Sequence, residues 1–125
     1  MSDWQTLTPL GASAPKPPFA GDARLIVYRH KCGLIGKITF APDVALPFDV
    51  PASVSLERTK SGNEYRITHD PEGKFFISNF IRGRSRAILF AWSWEVPTEA
   101  IPMEIVDMRD DMIHLRRLGG SDDAL

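Results

Sequence analysis

The sequence predicts an all-β fold: a small barrel-like domain of two related strand–turn–hairpin units, preceded by an extended N-terminal arm. Three observations lead to this prediction. Short segments rich in β-branched and aromatic residues alternate with turn sequences, no window carries the periodicity of about 3.6 residues that marks a helix, and a motif recurs after fifty residues. The length of 125 residues fits one domain.

The repeat relates residues 33–67 to residues 83–115. Five residue types recur at the same spacing: Gly33, Ile38, Phe40, Ala41 and Pro47 return as Gly83, Ile88, Phe90, Ala91 and Pro97. A repeat of this length is longer than a hairpin and shorter than a domain, so it indicates two copies of one supersecondary unit packed together. The alternative is a chance match within a β-rich sequence. If the repeat is structural, the two segments have the same strand order and superpose.

The predicted strands follow one another through the body of the chain, residues 23–118. We expect them at residues 24–28, 34–40, 52–57, 64–68, 75–81, 87–94, 103–108 and 112–115. The first two are β-branched and aromatic, and the next two alternate apolar with polar residues, as strands do. The fifth and sixth are more continuously apolar, and the last two form a hairpin. Short helical turns are expected only at residues 43–46 and 98–101.

Turn sequences separate these strands, and they lie at residues 30–33, 60–63, 69–73, 82–85 and 109–111. Gly62 is placed where a hairpin turn needs a positive φ. The acidic pair Asp110 and Asp111 fits a solvated turn. The apolar strands hold six aromatic residues that we expect mostly in the core: Phe75, Phe76, Phe80, Phe90, Trp92 and Trp94. Trp92 and Trp94 share one face of a strand, which is either core or a contact between subunits.

Residues 1–22 form the arm, which holds Pro9, Pro15, Pro17 and Pro18. Proline removes backbone donors and disfavours helix at the preceding residue, so the arm is expected to be extended. Trp4 and Leu7 are the candidate contacts to a protein partner. The alternative is that the arm packs across its own body. Residues 119–125 are expected to form a flexible tail.

The charges are distributed unevenly although the net charge is only −1. Residues 58–86 carry seven basic and three acidic side chains, whereas residues 87–125 carry three basic and eight acidic ones. Arg82, Arg84 and Arg86 alternate, so on a strand they would project from one face. Arginine binds phosphate oxygens or guanine through its planar fork. This pattern indicates an anion-binding turn; the alternative is a solvated turn that keeps an edge strand soluble.

Two sequence blocks in the second unit point to a family. Residues 83–88 read Gly-Arg-Ser-Arg-Ala-Ile, and a later hairpin contains Glu-Ile-Val at 104–106 and Ile-His-Leu-Arg at 113–116. This arrangement resembles the swapped-hairpin DNA-binding domain of VapB-type antitoxins, in the AbrB/MazE superfamily. The sequence departs from that family's pattern at Leu89, Ala91 and Trp92, where the family has a polar residue, proline and lysine. Residues 33–67 resemble the same plan more faintly.

The resemblance implies a pseudo-dimer of swapped hairpins within one chain, a homo-oligomeric assembly, and duplex DNA as the partner. The DNA-binding residues that it implies are Arg82, Arg84, Ser85 and Arg86, with Lys37 as the equivalent in the first unit. It implies no cofactor.

Signals for other functions are weak. Cys32 and the three histidines, His30, His69 and His114, lack metal-ligand spacing, and Cys32 has no sequence sign of a partner base. We therefore expect no metal site and no enzyme activity. No apolar run approaches the roughly 18 residues of a membrane span, and the N-terminus does not resemble a signal peptide, so a cytoplasmic location without membrane contact is expected.

The leading hypothesis is a non-enzymatic DNA-binding regulator of antitoxin or transition-state-regulator type. The second is a protein-interaction or assembly module that uses its N-terminal arm. The third is a β barrel that binds single-stranded nucleic acid by stacking and charge.

Overall fold

The protein is a closed antiparallel barrel, as seen in a computed structural model that describes residues 21–80 and 85–118. Its strands are Ala23–His30 (β1), Gly33–Phe40 (β2), Ala52–Arg58 (β3), Glu64–His69 (β4), Phe75–Phe80 (β5), Ser85–Ala91 (β6), Ile101–Arg109 (β7) and Met112–Arg117 (β8). Around the barrel they run β1-β2-β6-β5-β3-β4-β8-β7. The predicted all-β, barrel-like fold is confirmed. Residues 1–20 of the predicted arm, the predicted tail at 119–125 and residues 82–84 of the predicted turn at 82–85 lie outside the described residues, while Ser85 already belongs to β6.

The core fills the barrel from alternate positions of each strand. In β2, Gly36, Ile38 and Phe40 are buried while the residues between them are partly exposed, which is the period-two pattern of a strand with one inward face. The same alternation buries Leu25, Val54, Tyr65, Ile67, Ile77, Ile88, Met103, Ile113 and Leu115. No polar or charged residue among those described is buried. Burial of this apolar set is the main stabilising term of the fold.

Two details of the sequence prediction are wrong. The described residues contain no helix: Val44 donates to the Ala41 carbonyl in a single turn, and Ile101 already belongs to β7. The expectation that the aromatics are mostly core also fails at two positions, since Phe76 is 54% exposed and Trp94 is 42% exposed. Phe76 alternates with the buried Ile77, and Trp94 lies beyond the end of β6, so neither faces the barrel interior.

The strand pairing has a two-fold pattern that relates β1–β4 to β5–β8. Hairpin β1–β2 corresponds to β5–β6, and hairpin β3–β4 corresponds to β7–β8. The cross-unit pair β1–β7 corresponds to β5–β3, while β2 pairs with its own equivalent β6 and β4 with β8. The two units therefore interleave within one chain. This confirms the prediction that the repeated segments have the same strand order.

The hydrogen-bond register repeats along with the order. The pair Leu25–Ile38 in the first unit corresponds to Ile77–Ile88 in the second. Ile38 and Ile88 also pair with each other, and on the opposite wall Arg66 pairs with His114. These two pairs mark where the pseudo-two-fold axis crosses the barrel wall. A β-bulge between Ile105 and Asp107 interrupts the equivalence locally.

Candidate nucleic-acid interface

One half of the barrel carries basic residues and no acidic ones. The half consists of β1, β2, β6 and β5, which are contiguous in the barrel, and we call it the basic sheet. Residues 23–40 contain Arg24, Arg29, Lys31 and Lys37 without a carboxylate, and residues 75–91 contain Arg82, Arg84 and Arg86 without one. The pseudo-two-fold axis crosses this sheet at Ile38 and Ile88.

The opposite half, β3, β4, β8 and β7, has balanced charges. Its six acidic residues are Glu57, Glu64, Glu104, Asp107, Asp110 and Asp111, and its six basic residues are Arg58, Lys60, Arg66, Arg109, Arg116 and Arg117. Three ion pairs between described residues lie here at 2.6–2.7 Å, Arg66–Glu57, Arg109–Asp107 and Arg116–Glu104, and His114 is hydrogen-bonded to Glu64 at 2.6 Å. The charge of this half is therefore largely neutralised at its own surface, while that of the basic sheet is not offset by carboxylates of its own strands.

The contact between Arg66 and Glu57 changes the pKa of both side chains. Arg66 Nε donates to Glu57 Oε1 at 2.7 Å. This hydrogen bond and the charge of Arg66 lower the pKa of Glu57, and the same contact raises the pKa of Arg66. Both side chains are more than half exposed, so the pair neutralises charge more than it stabilises the fold.

Lys37 lies on the outer surface of the basic sheet. It alternates with the buried Gly36 and Ile38, and its partner across the β2–β6 pair is Leu89, which is 37% exposed. Arg24 on β1 is likewise exposed between the buried Ala23 and Leu25. The predicted contact residue Lys37 thus lies, partly exposed, on the outward face near the pseudo-two-fold axis.

The sequence predicts that Arg86 projects toward DNA together with Arg82 and Arg84, and for Arg86 this prediction is wrong. It belongs to the inward row of β6, together with the buried Ile88 and Phe90, and Nη2 donates to the Ala41 carbonyl at 2.7 Å. Lys37 and Arg86 therefore lie on opposite faces of the sheet. Arg82, Arg84 and the side chain of Ser85 lie outside the described residues, as do the predicted partner contacts Trp4 and Leu7.

The sequence reasoning missed a basic turn in the first unit. Arg29, His30 and Lys31 are exposed at the β1–β2 hairpin, whose two-residue loop is Lys31–Cys32. The pseudo-two-fold operation relates this hairpin to β5–β6, whose connecting turn contains Arg82 and Arg84. The repeat itself was the available signal, because it relates the segment before Gly33, which holds Arg29 and Lys31, to the segment around Gly83, which holds Arg82 and Arg84.

The two hairpins lie at opposite ends of the β2–β6 pair. Since Thr39 pairs with Ala87, Ser85 is opposite position 41, eight positions (41 − 33) from the start of β2 at Gly33. At roughly 3.4 Å per residue the strand ends are about 27 Å apart. Basic groups therefore flank the two-fold centre on both sides, at strand ends about 27 Å apart.

A second surface feature is a cleft of about 670 Å³ at the end of the barrel where β6 leads into β7. We call it the aromatic cleft; its walls include Arg58, Tyr65, Trp92 and Trp94. The Arg58 guanidinium lies 3.9 Å from the centroid of a Trp94 ring, and Nε donates to Tyr65 Oη at 3.1 Å. Trp92 and Trp94 meet edge to face at 4.9 Å. Burial raises the pKa of Tyr65, and the Arg58 contact partly opposes that shift.

The titratable side chains do not assemble a metal centre in the described part of the chain. No group of three His, Cys, Asp or Glu side chains there is close enough to hold a metal ion. Cys32 is exposed, His69 stacks on Phe48, and His114 is bonded to Glu64. Within residues 21–80 and 85–118 no helix has the length and apolarity needed to cross a membrane.

Comparison with protein-family models, with curated proteins and with solved structures finds no match for the chain.

Proposed function

We propose that the protein is a non-enzymatic regulator that binds duplex DNA through the outer face of the basic sheet. The observation that carries the proposal is the absence of any acidic residue from residues 23–40 and 75–91, which together hold six basic residues besides the inward-facing Arg86. A surface of one charge sign attracts the phosphate backbone, and this attraction supplies most of the affinity of a DNA-binding protein. The other half of the barrel adds no net charge, and the excess of acidic residues that brings the chain to −1 lies outside both halves, in residues 1–22, 41–51, 70–74, 92–100 and 118–125.

The internal symmetry of the barrel favours duplex DNA as the ligand over an anion that lacks two-fold symmetry. Proteins with two-fold symmetry bind half-sites of matching symmetry, spaced by about one helical turn, or about 34 Å. The basic hairpins flank the Ile38–Ile88 centre on both sides, at strand ends about 27 Å apart. Because the turn sequences differ (Arg-His-Lys-Cys in one unit and Arg-Gly-Arg-Ser in the other), the half-sites would be similar but not identical.

The resemblance of residues 74–116 to VapB-type domains supports this proposal. It further suggests that the protein acts in the cytoplasm as an antitoxin or as a transition-state regulator. Both units belong to one chain, so a single chain supplies a pseudo-symmetric surface. Homo-oligomerisation stays a prediction, and light scattering tests it.

The test is fluorescence anisotropy with labelled duplex and single-stranded oligonucleotides across a salt series. Two double variants remove charge from the basic sheet, Arg29→Ala with Lys31→Ala and Arg82→Ala with Arg84→Ala. The control, Lys60→Ala with Arg109→Ala, removes the same charge from the balanced half. Each lost phosphate contact lowers the slope of log affinity against log salt by about one, so each basic-sheet variant loses up to about two and the control loses none.

Absence of wild-type affinity for duplex at low salt, or equal losses in all three variants, refutes the proposal. A preference for single strands favours the stacking hypothesis instead. The exposed Trp94 with its stacked Arg58 is the surface that would serve it, because aromatic side chains and arginine bind unpaired bases.

A further inference from the structure

The aromatic cleft opens at one end of the barrel, where two arginines complete inward rows of side chains. Arg58 is the last residue of β3 and Arg117 the last residue of β8, and each continues the inward row of its strand to the cleft. Tyr65 of β4 lies between these strands, since it pairs with Arg58 on one side and with Leu115 on the other. Two positive charges therefore lie at the wall of the cleft on either side of Tyr65.

The Tyr65 hydroxyl is a hydrogen-bond donor at this wall. Tyr65 is 2% exposed, and its oxygen accepts from Arg58 Nε at 3.1 Å, while no described residue accepts its own proton. Burial raises the pKa of Tyr65, and the charges of Arg58 and Arg117 oppose this rise, so both guanidinium groups are close enough to act on the hydroxyl. A hydroxyl donor beside two guanidinium groups suits a carboxylate, which accepts several hydrogen bonds and carries one negative charge.

Another part of the cleft wall carries negative charge. Glu95 and Glu99 belong to the connection between β6 and β7, residues 92–100, and both line the cleft and are exposed. Trp92 Nε1 donates to the Glu95 carbonyl at 3.2 Å, which holds the start of this connection against the end of β6. The positive and negative side chains of the cleft therefore come from separate elements, the ends of β3 and β8 on one hand and the β6–β7 connection on the other.

The charges of the cleft are not neutralised by one another. Arg116, which precedes Arg117 but faces outward, forms an ion pair with Glu104 at 2.6 Å. In contrast, no ion pair within the described part of the chain involves any of the four charged side chains of the cleft, Arg58, Arg117, Glu95 and Glu99. Since the cleft encloses about 670 Å³, within the range of about 300–1,000 Å³ for small-molecule sites, both signs of charge face a volume that a ligand can fill.

We propose that the aromatic cleft binds a small zwitterion, a molecule that carries one carboxylate and one primary ammonium group. The carboxylate accepts hydrogen bonds from Arg117 and from the Tyr65 hydroxyl beside Arg58, and the ammonium group lies against Glu95 and Glu99. A ligand of one charge sign fits less well, because one pair of side chains attracts it while the other pair repels it. The cleft lies at the end of the barrel, so this site does not depend on DNA binding at the outer face of the basic sheet.

The test uses the full chain and ω-amino acids of increasing length, from glycine to 8-aminooctanoate, at constant ionic strength. The carboxylate and the amine of matching length, such as hexanoate and hexylamine for 6-aminohexanoate, are the comparison ligands. Binding is followed by NMR at the indole N–H signals of Trp92 and Trp94, which line the cleft. We expect one length to bind best, and about ten-fold more tightly than the matching carboxylate or amine, because each hydrogen bond to a charged group contributes about that factor.

Two variants identify the two ends of the site. Arg117→Gln should weaken binding of the zwitterion and of hexanoate about ten-fold and leave hexylamine unchanged, whereas Glu99→Gln should weaken the zwitterion and hexylamine and leave hexanoate unchanged. The matched controls, Arg116→Gln and Glu104→Gln, remove the same charges from the outward ion pair and should change no affinity. Circular dichroism verifies that all four variants keep the barrel. Absence of saturable binding by any zwitterion, equal affinity for the three kinds of ligand, or equal losses in the cleft and control variants overturns the proposal.

Discussion

The pair Ile38–Ile88 offers a direct test of the barrel and of its internal symmetry. Both side chains are fully buried, and they face each other across the β2–β6 pair at the pseudo-two-fold centre. Replacing either by Ala removes three carbons, worth about 0.8 kcal/mol each in transfer free energy, and leaves a cavity. We expect each single variant to lower the free energy of unfolding by about 3–4 kcal/mol, within the usual range for such changes. Urea denaturation followed by circular dichroism measures this loss.

The matched control is Leu89→Ala, one position along the same strand but on the outward face. Leu89 is 37% exposed, so its truncation should cost about 1 kcal/mol. Because Ile38 and Ile88 are in contact, the double variant should depart from additivity by at least about 0.5 kcal/mol. A larger loss at Leu89 than at Ile38 would mean that the strand faces are inverted, since a register shift of one residue exchanges them. A difference of several kcal/mol between Ile38→Ala and Ile88→Ala would refute the symmetry of the two units.

Two further predictions concern the wall of the aromatic cleft. Gly62 has a φ of 80°, and a Cβ there would meet the Arg58 guanidinium. Gly62→Ala should therefore lower the free energy of unfolding by about 1–2 kcal/mol. Lys60→Ala in the same turn should change it little, and urea denaturation measures both variants. Burial raises the pKa of Tyr65 above the ordinary value of 10.0, so this group adds stability that is present below pH 10.0 and is lost as the pH rises through its folded pKa. Alkaline titration of tyrosinate absorbance in wild type and Tyr65→Phe should reveal one group that ionises late, and its ionisation at or below pH 10.0 would contradict the burial.

The fold was largely predictable because its signals are local. Strand and turn sequences alternate along the chain. The hairpin loops Lys31–Cys32 and Asp110–Asp111 are each two residues long. Ile38 and Ile88 are buried in the core, as are Phe40 and Phe90. This shared burial explains why both units have the same residue type at these positions. Closure of the barrel and the order of its strands depend on pairing between residues far apart in sequence, which local patterns do not specify.

The candidate site was predicted less well, for two physical reasons. Arg86 alternates with Arg84 in sequence, but alternation alone does not say which face is inward, and the inward row of β6 is the one that contains Arg86. The aromatic cleft joins Arg58, Tyr65 and Trp94 from separate elements, and no spacing in the sequence indicates that contact. Lys37 lies in a strand that its own segment predicts, and its partly exposed, outward position follows from the burial of Gly36 and Ile38 on either side.

An NMR titration determines whether the basic sheet is the face of the barrel that binds DNA, as we propose. Backbone amide shifts of the full chain are recorded while a duplex oligonucleotide is added. We expect perturbations to gather on the basic sheet, at residues such as Arg24, Lys31 and Lys37, and to be absent from the ion-paired surface around Arg66 and Glu104. Perturbations centred on β4 and β8, or none at low salt, would show that the basic sheet does not bind DNA.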